Sequence, residues 1–187
     1  MTNPIITGIV ATFDRDNIDT DQIIPTEYLK SIKKFGFGDF LFDGWRYLDE
    51  GRLDMVSDER SKNHEFILNK EPYTNSEILL TRDNFGCGSS REHAVWALRD
   101  FGFKAVIASS FGDIFYNNCF KNSVLPIILT KDEINHLFEI CSSSPTNFEI
   151  DLMEKNIKFD GESSYSFDVK ESLLDRIVNN LDDVDIT

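Results

Sequence analysis

The rhythm of apolar and polar positions changes several times along the chain, and each change predicts an element. Thr7 to Phe13, TGIVATF, is a strand. The run from Asp14 to Asp21 is polar and turn-rich, and Pro25 after Ile23-Ile24 ends any ladder. Thr26 to Lys34 reads as a short helix, capped by Thr26 with Glu27 in its first turn. Ile78-Leu79-Leu80 is a buried strand, and Ser90 to Asp100 is a helix stopped by Gly102. Lys104 to Ala108 is the next strand, and Phe111 to Asn122 a helix weakened by Asn117 and Asn118. Val124 to Leu129 is a strand that Pro126 assigns to an edge or a bulge. Thr130-Lys131-Asp132-Glu133 spells a capping box that opens a helix through Cys141. Alternation from Asn147 to Val169, with Asp160-Gly161 as the turn, predicts a β-hairpin. Leu173 to Val178 is a last short helix.

Strand, loop, helix, strand, helix, strand in the middle of the chain is the order of an α/β core with parallel strands. The flanking segments add antiparallel β structure. A length of 187 residues fits one domain, assigned to 1–178, with 179–187 as a short acidic tail. Two readings stay open for Phe35 to Tyr47, FGFGDFLFDGWRY, where neither period fits. It is a mobile loop that closes over a ligand, or a loop pinned to the core by its aromatic side chains.

Composition narrows the function. A formal charge of −14 argues against general nucleic-acid binding, which needs a basic footprint. An anionic substrate then requires a locally basic site. The acid excess is steepest from Glu149 onward, with 11 acids against 4 bases. The cysteines are Cys87, Cys119 and Cys141, with no CxxC pair. That count disfavours both a disulfide framework and a self-contained metal site, and it points to a reducing, cytoplasmic setting. The first residues lack a basic start followed by a long apolar run, so they are not expected to be a signal peptide.

The chemistry is concentrated in Asn84 to His93, NFGCGSSREH. Its ending lacks both the GK[ST] of a phosphate loop and the GxGxxG spacing of a dinucleotide site. One reading is local: Ser89 caps a helix through Ser89-x-x-Glu92, and Gly86 and Gly88 allow the turn. The other is functional. A helix start offers free N–H groups and a positive dipole end. Arg91 is misplaced there on dipole grounds alone, but it makes sense if an anion lies between guanidinium and amides. His93 forms no defensible pair with a serine and reads as a packing residue. No G-x-S-x-G elbow supports a stand-alone hydrolase.

NFGCGSSREHAVWAL resembles the signature of the small subunits of 3-isopropylmalate dehydratase and of the aconitase swivelling domain. NIDTDQIIP (Asn17 to Pro25), FGFGDFLFDGWRYLD (Phe35 to Asp49) and SSFGDIFYNNCFKNSVLPI (Ser109 to Ile127) are similar to the same family in the same order. The resemblance implies a layered β/β/α swivelling domain of aconitase type. It implies a hydro-lyase of leucine biosynthesis that isomerises 2-isopropylmalate and 3-isopropylmalate, active only with a large subunit. It makes Ser89 the catalytic base, gives Ser90 and Arg91 the substrate carboxylate, and sets Asp21 at the edge of the site. Phe35 and Phe37 are expected against the substrate's alkyl group, with Lys33 and Lys34 beside them. No counterpart of aconitase's arginine for a third carboxylate can be placed near Lys30. A [4Fe–4S] cluster is expected in the large subunit, whose cysteines hold it, and none in this chain. The resemblance leaves a homoaconitate or methylmalate/citraconate hydratase small subunit as an alternative, and a non-catalytic binding domain of the same fold as another.

Overall fold

A computed structural model describes residues 4–30, 36–52, 55, 57–159, 161 and 163–186, with 181–186 by backbone alone. Seven strands form one sheet: β1 (Ile5–Thr12), β2 (Ile78–Leu80), β3 (Ala105–Ala108), β4 (Leu125–Ile128), β5 (Asn147–Asp151), β6 (Asn156–Lys158) and β7 (Ser164–Ser166). Their order is β4-β3-β2-β1-β5-β6-β7. On one side of β1 the pairs are parallel, with Val10 opposite Ile78, Leu79 opposite Val106 and Val106 opposite Pro126. On the other side they are antiparallel, beginning with Ile6 opposite Ile150. The expected parallel core and added antiparallel hairpin therefore share β1 as a common strand. Pro126 lies on the edge strand β4, where a missing N–H costs no ladder bond.

The central strands are unbroken apolar runs because both of their faces are covered. Leu79 and Val106 face one cluster, with Ala94, Val95, Ala97 and Leu98 of α3 (Glu92–Phe101). Ile78, Leu80, Ala105 and Ile107 face the other, with Ile134, Leu137 and Cys141 of α5 (Lys131–Ser142). Helix α4 (Asp113–Lys121) contributes Phe115 and Cys119 to the first cluster and Phe120 to the second. The Thr130–Glu133 capping box forms as expected, with both reciprocal bonds present. The last helix, α6 (Glu171–Ile186), is longer than the expected Leu173 to Val178. Its Leu174 and Ile177 anchor it to the second cluster. Acidic residues past that anchor do not stop a helix, since none of them is a strong breaker.

Two further expectations are corrected between β1 and β2. The polar run before Pro25 contains a short helix, α1 (Thr20–Ile23), opened by a capping box between Asp19 and Gln22. The segment after Pro25 is a 3-10 turn over Thr26–Lys30, with Thr26 as its first residue. In the aromatic segment, Phe37–Phe40 is another 3-10 turn and α2 (Asp43–Arg46) a single helical turn. Phe37, Phe40, Leu41, Phe42 and Tyr47 are all buried. Phe42 packs against Phe13 and Trp45, with Phe66 close by. Of the two readings, the pinned loop holds for residues 36–47.

One buried polar network fastens this region. Arg60 pairs through Nη1 with Asp43 Oδ1. Its Nη2 donates to Asp43 Oδ2 at 3.2 Å and to the Asp49 carbonyl at 3.0 Å. The Tyr28 hydroxyl donates to Asp43 Oδ1 at 3.0 Å. Burial, and then the Asp43 charge, push the Tyr28 phenol above its ordinary value, so it remains a donor.

Candidate active site

Beyond Leu80 the chain continues in line with β2, laced between its two neighbours. On one side the N–H of Asn17 donates to the Asp83 carbonyl at 2.8 Å, that of Gly86 to Ile18 at 2.7 Å, and that of Thr20 to Cys87 at 3.0 Å. On the other, the N–H of Phe85 donates to Ser110 at 3.1 Å and that of Gly112 to Phe85 at 2.9 Å. The carboxyl ends of three neighbouring parallel strands thus converge on the Gly86–Ser89 loop, the usual place for a ligand in such sheets. Gly86 has φ +78°, and a Cβ on it would lie 2.2 Å from the Phe115 ring. A side chain is excluded there by both conformation and space.

Ser89 and Ser90 are exposed. The capping box expected between Ser89 and Glu92 does not form. The N-cap of α3 is Arg91, at φ −120° and ψ 119°, and it makes no side-chain cap bond. Ser89 therefore stands two residues outside the cap, too far out to reach the third helical amide. The local reading of Ser89 fails on this geometry. Helix α3 thus begins without a side-chain cap from Arg91, its Ala94 N–H donating to the Arg91 carbonyl at 3.4 Å, and the two exposed serines immediately precede this positive dipole end. A cavity of about 210 Å³ lies between the Gly86–Ser89 loop and the start of α4 at Gly112 to Phe115.

Arg91 carries the positive charge at this helix start. Its Nη1 donates to Asp21 Oδ1 at 3.1 Å and to Thr26 Oγ1 at 3.3 Å. The structure thus brings Asp21 to Arg91, two residues that the sequence had singled out, and adds Thr26, which it had not; Ser89 and Ser90 immediately precede Arg91 in the chain. The only sequence signal for Thr26 was its cap-like position before Glu27, and that pointed to a different role. His93 packs its ring against Phe37 and Trp96. Burial first, then the charge of Arg91, lower its pKa from the ordinary histidine value.

Phe37 lies against α3. It is 2% exposed and sits edge-on to His93, with its N–H donating to Asp100 Oδ2 at 3.2 Å. Within this chain it is a core residue that holds its segment to α3. Lys33, Lys34 and Phe35 lie outside the described residues, as does Asp160 of the hairpin turn. A larger cavity of about 490 Å³ opens between Gly38, Arg46 and Asp100, away from Ser89. Arg46 there donates to the Gly38 carbonyl at 2.6 Å and lies over the Phe101 ring.

Cys119 and Cys141 are buried, and burial raises both thiols. Burial and then Asp19 raise Cys87. Thiols held protonated and apart do not suit an iron–sulfur cluster. Among the described residues no three His, Cys, Asp or Glu side chains group to hold a metal ion. No described helix is long and apolar enough to cross a membrane.

Comparison with known proteins agrees with this architecture. Residues 4–132 match the family model described as the aconitase C-terminal domain. The 3-isopropylmalate dehydratase small subunit of a Neisseria meningitidis serogroup C strain is 51% identical over 183 residues, covering 97% of this chain and 86% of that protein. The small subunit from Marinobacter nauticus is 51% identical over 181 residues, covering 96% and 84%. A crystal structure of 3-isopropylmalate dehydratase from Methanocaldococcus jannaschii superposes with a TM-score of 0.64 at 26% identity, covering 97% of this chain and 98% of that one. The chain belongs to the aconitase C-terminal domain family and, within it, to the small subunits of 3-isopropylmalate dehydratase.

Proposed function

We propose that the chain, as a small subunit of this family, supplies the proton-transferring group of a site shared with its large subunit. The reaction is the isomerisation of 2-isopropylmalate and 3-isopropylmalate by loss and return of water, a cytoplasmic step of leucine biosynthesis. The observation that carries the reading is the placing of Ser89. It is exposed in the loop after a parallel strand, two residues before the α3 N-cap Arg91, which makes no side-chain cap bond.

Ser89 Oγ, as the alkoxide, takes the proton from the carbon beside the one that bears the hydroxyl, and the C–H electrons form the double bond as the hydroxyl leaves. On return the proton goes to the carbon that lost the hydroxyl and water's hydroxyl to the carbon that lost the proton. Serine is a weak acid, so its alkoxide needs donors already fixed in place. The groups this chain offers for that are the amides at the start of α3, whose N-cap makes no side-chain bond, and the Arg91 guanidinium. The Ser90 hydroxyl and Arg91 hold a substrate carboxylate, with Arg91 offering a planar fork. A [4Fe–4S] cluster in the large subunit supplies Lewis-acid chemistry at the leaving hydroxyl. Its ligands belong to that partner, in keeping with the unsuitable cysteines of this chain.

The test mixes the purified chain with a large subunit reconstituted anaerobically and follows the unsaturated intermediate by absorbance from 3-isopropylmalate. Activity is expected only in the mixture. Ser89→Ala should lower kcat by about 10²–10⁴-fold while the complex still forms. A variant complex that turns over at the unmodified rate places the base elsewhere. Turnover of homoaconitate or citraconate in preference to 3-isopropylmalate reassigns the substrate.

A further inference from the structure

Two side chains from one distant segment, Asp21 and Thr26, meet at the guanidinium of Arg91. Nη1 lies 3.1 Å from Asp21 Oδ1 and 3.3 Å from Thr26 Oγ1, and the Thr26 hydroxyl donates to Asp21 Oδ1 at 3.4 Å. Asp21 and Thr26 are both exposed, and the Arg91 side chain is 30% exposed. An ion pair so open to water contributes little to stability. Its effect is directional. Both recorded bonds fall on Nη1, and among the described residues Nε and Nη2 take no partner. In a guanidinium, the Nε–H and the adjacent Nη2–H form the parallel side-on fork that matches a carboxylate. Holding Nη1 from behind leaves that edge free.

The holder is itself fixed. Thr26 opens the 3-10 turn that carries Tyr28 two residues later. Tyr28 is fully buried, stacks on Phe40 at 4.1 Å and bonds to Asp43, which Arg60 clamps in turn. Asp21 rides on α1, whose own capping box fixes its start. A binding group backed by such supports keeps the geometry a ligand needs.

We propose that Thr26 is a positioning residue for Arg91: with Asp21 it turns the Nε/Nη2 edge of the guanidinium toward the substrate carboxylate. The proposal rests on Arg91 binding that carboxylate, as in the function given above. It ties substrate affinity to the buried Tyr28–Asp43–Arg60 network through one surface hydroxyl.

The test uses the complex reconstituted with the large subunit and 3-isopropylmalate. Thr26→Val keeps the shape and removes the hydroxyl. It should lower kcat/KM about tenfold, mainly through KM, with the melting temperature of the chain unchanged. Thr26→Ser should restore kcat/KM to within about twofold. In an Arg91→Lys background, which lacks the fork, Thr26→Val should cost almost nothing further, because the two act as one unit. Thr26→Val at the unmodified kcat/KM overturns the proposal, and so does a loss that persists undiminished beside Arg91→Lys. If Arg91→Lys alone changes nothing, the binding role of Arg91 fails, and this inference with it. Loss of activity in Ser89→Ala then still reports separately on the base.

Discussion

Gly112 approaches Gly86 so closely that a Cβ on Gly112 would sit 2.7 Å from the Gly86 carbonyl oxygen. The two glycines come from the loops after β3 and β2, and the Gly112 N–H donates to the neighbouring Phe85 carbonyl at 2.9 Å. Backbone on backbone leaves no flexible atom to give way. Gly112→Ala should therefore push the Gly86–Ser89 loop outward and move Ser89. The expected result is a loss of kcat of tenfold or more in the reconstituted complex, with a stability cost of about 1–3 kcal/mol from overpacking. Urea denaturation of the chain and the absorbance assay together check it.

Asp43 and Arg60 form a buried ion pair whose removal on one side strands a charge. Burial works against the Arg60 charge, yet its bonds to Asp43 outweigh that and raise its pKa. Asp43→Asn should destabilise the chain by about 3–5 kcal/mol. Asp43→Asn combined with Arg60→Met should recover much of that loss, since the one charge then left without its partner is the Asp49 carboxylate, part-exposed and 3.4 Å from Arg60 Nε. Denaturant midpoints of the two variants decide the point.

His93 gives the chain a pH response whose sign follows from its surroundings. Burial and Arg91 lower its folded pKa below the unfolded value near 6.5. The unfolded chain then binds the proton more readily, and stability falls as pH drops through about 6.5. The loss levels off once pH passes below the folded value. An NMR titration should show the His93 ring titrating below the ordinary histidine value near 6.5. His93→Gln should flatten this part of the stability profile, and an unchanged profile would assign the response to another group.

Much of the core was legible because its causes are local. Ile78–Leu80 and Ala105–Ala108 are short apolar runs ended by polar or glycine-rich loops, and Thr130 with Glu133 is a capping box within one helical turn. The site residues Ser89, Ser90 and Arg91 were legible through a family signature. Their geometry was not. The [ST]-x-x-E pattern that caps α5 from Thr130 fails at Ser89, because the lacing of residues 83–88 by both neighbours delays the helix until Glu92. Phe37 shows the complementary limit: an aromatic residue in a glycine-rich stretch gives no period, and only α3 decides that it is buried.

By itself the sequence determined the α/β order, the element types and the family, because apolar period, turn residues and caps act over a few neighbouring positions. The tertiary structure alone decided which of those residues meet. Arg91 reaches Asp21 and Thr26 across 70 and 65 positions. That meeting depends on β1 and β2 lying side by side in parallel, so that the loops after both strands emerge at one end of the sheet. No local preference encodes such a distance; it is set by the packing of the whole sheet.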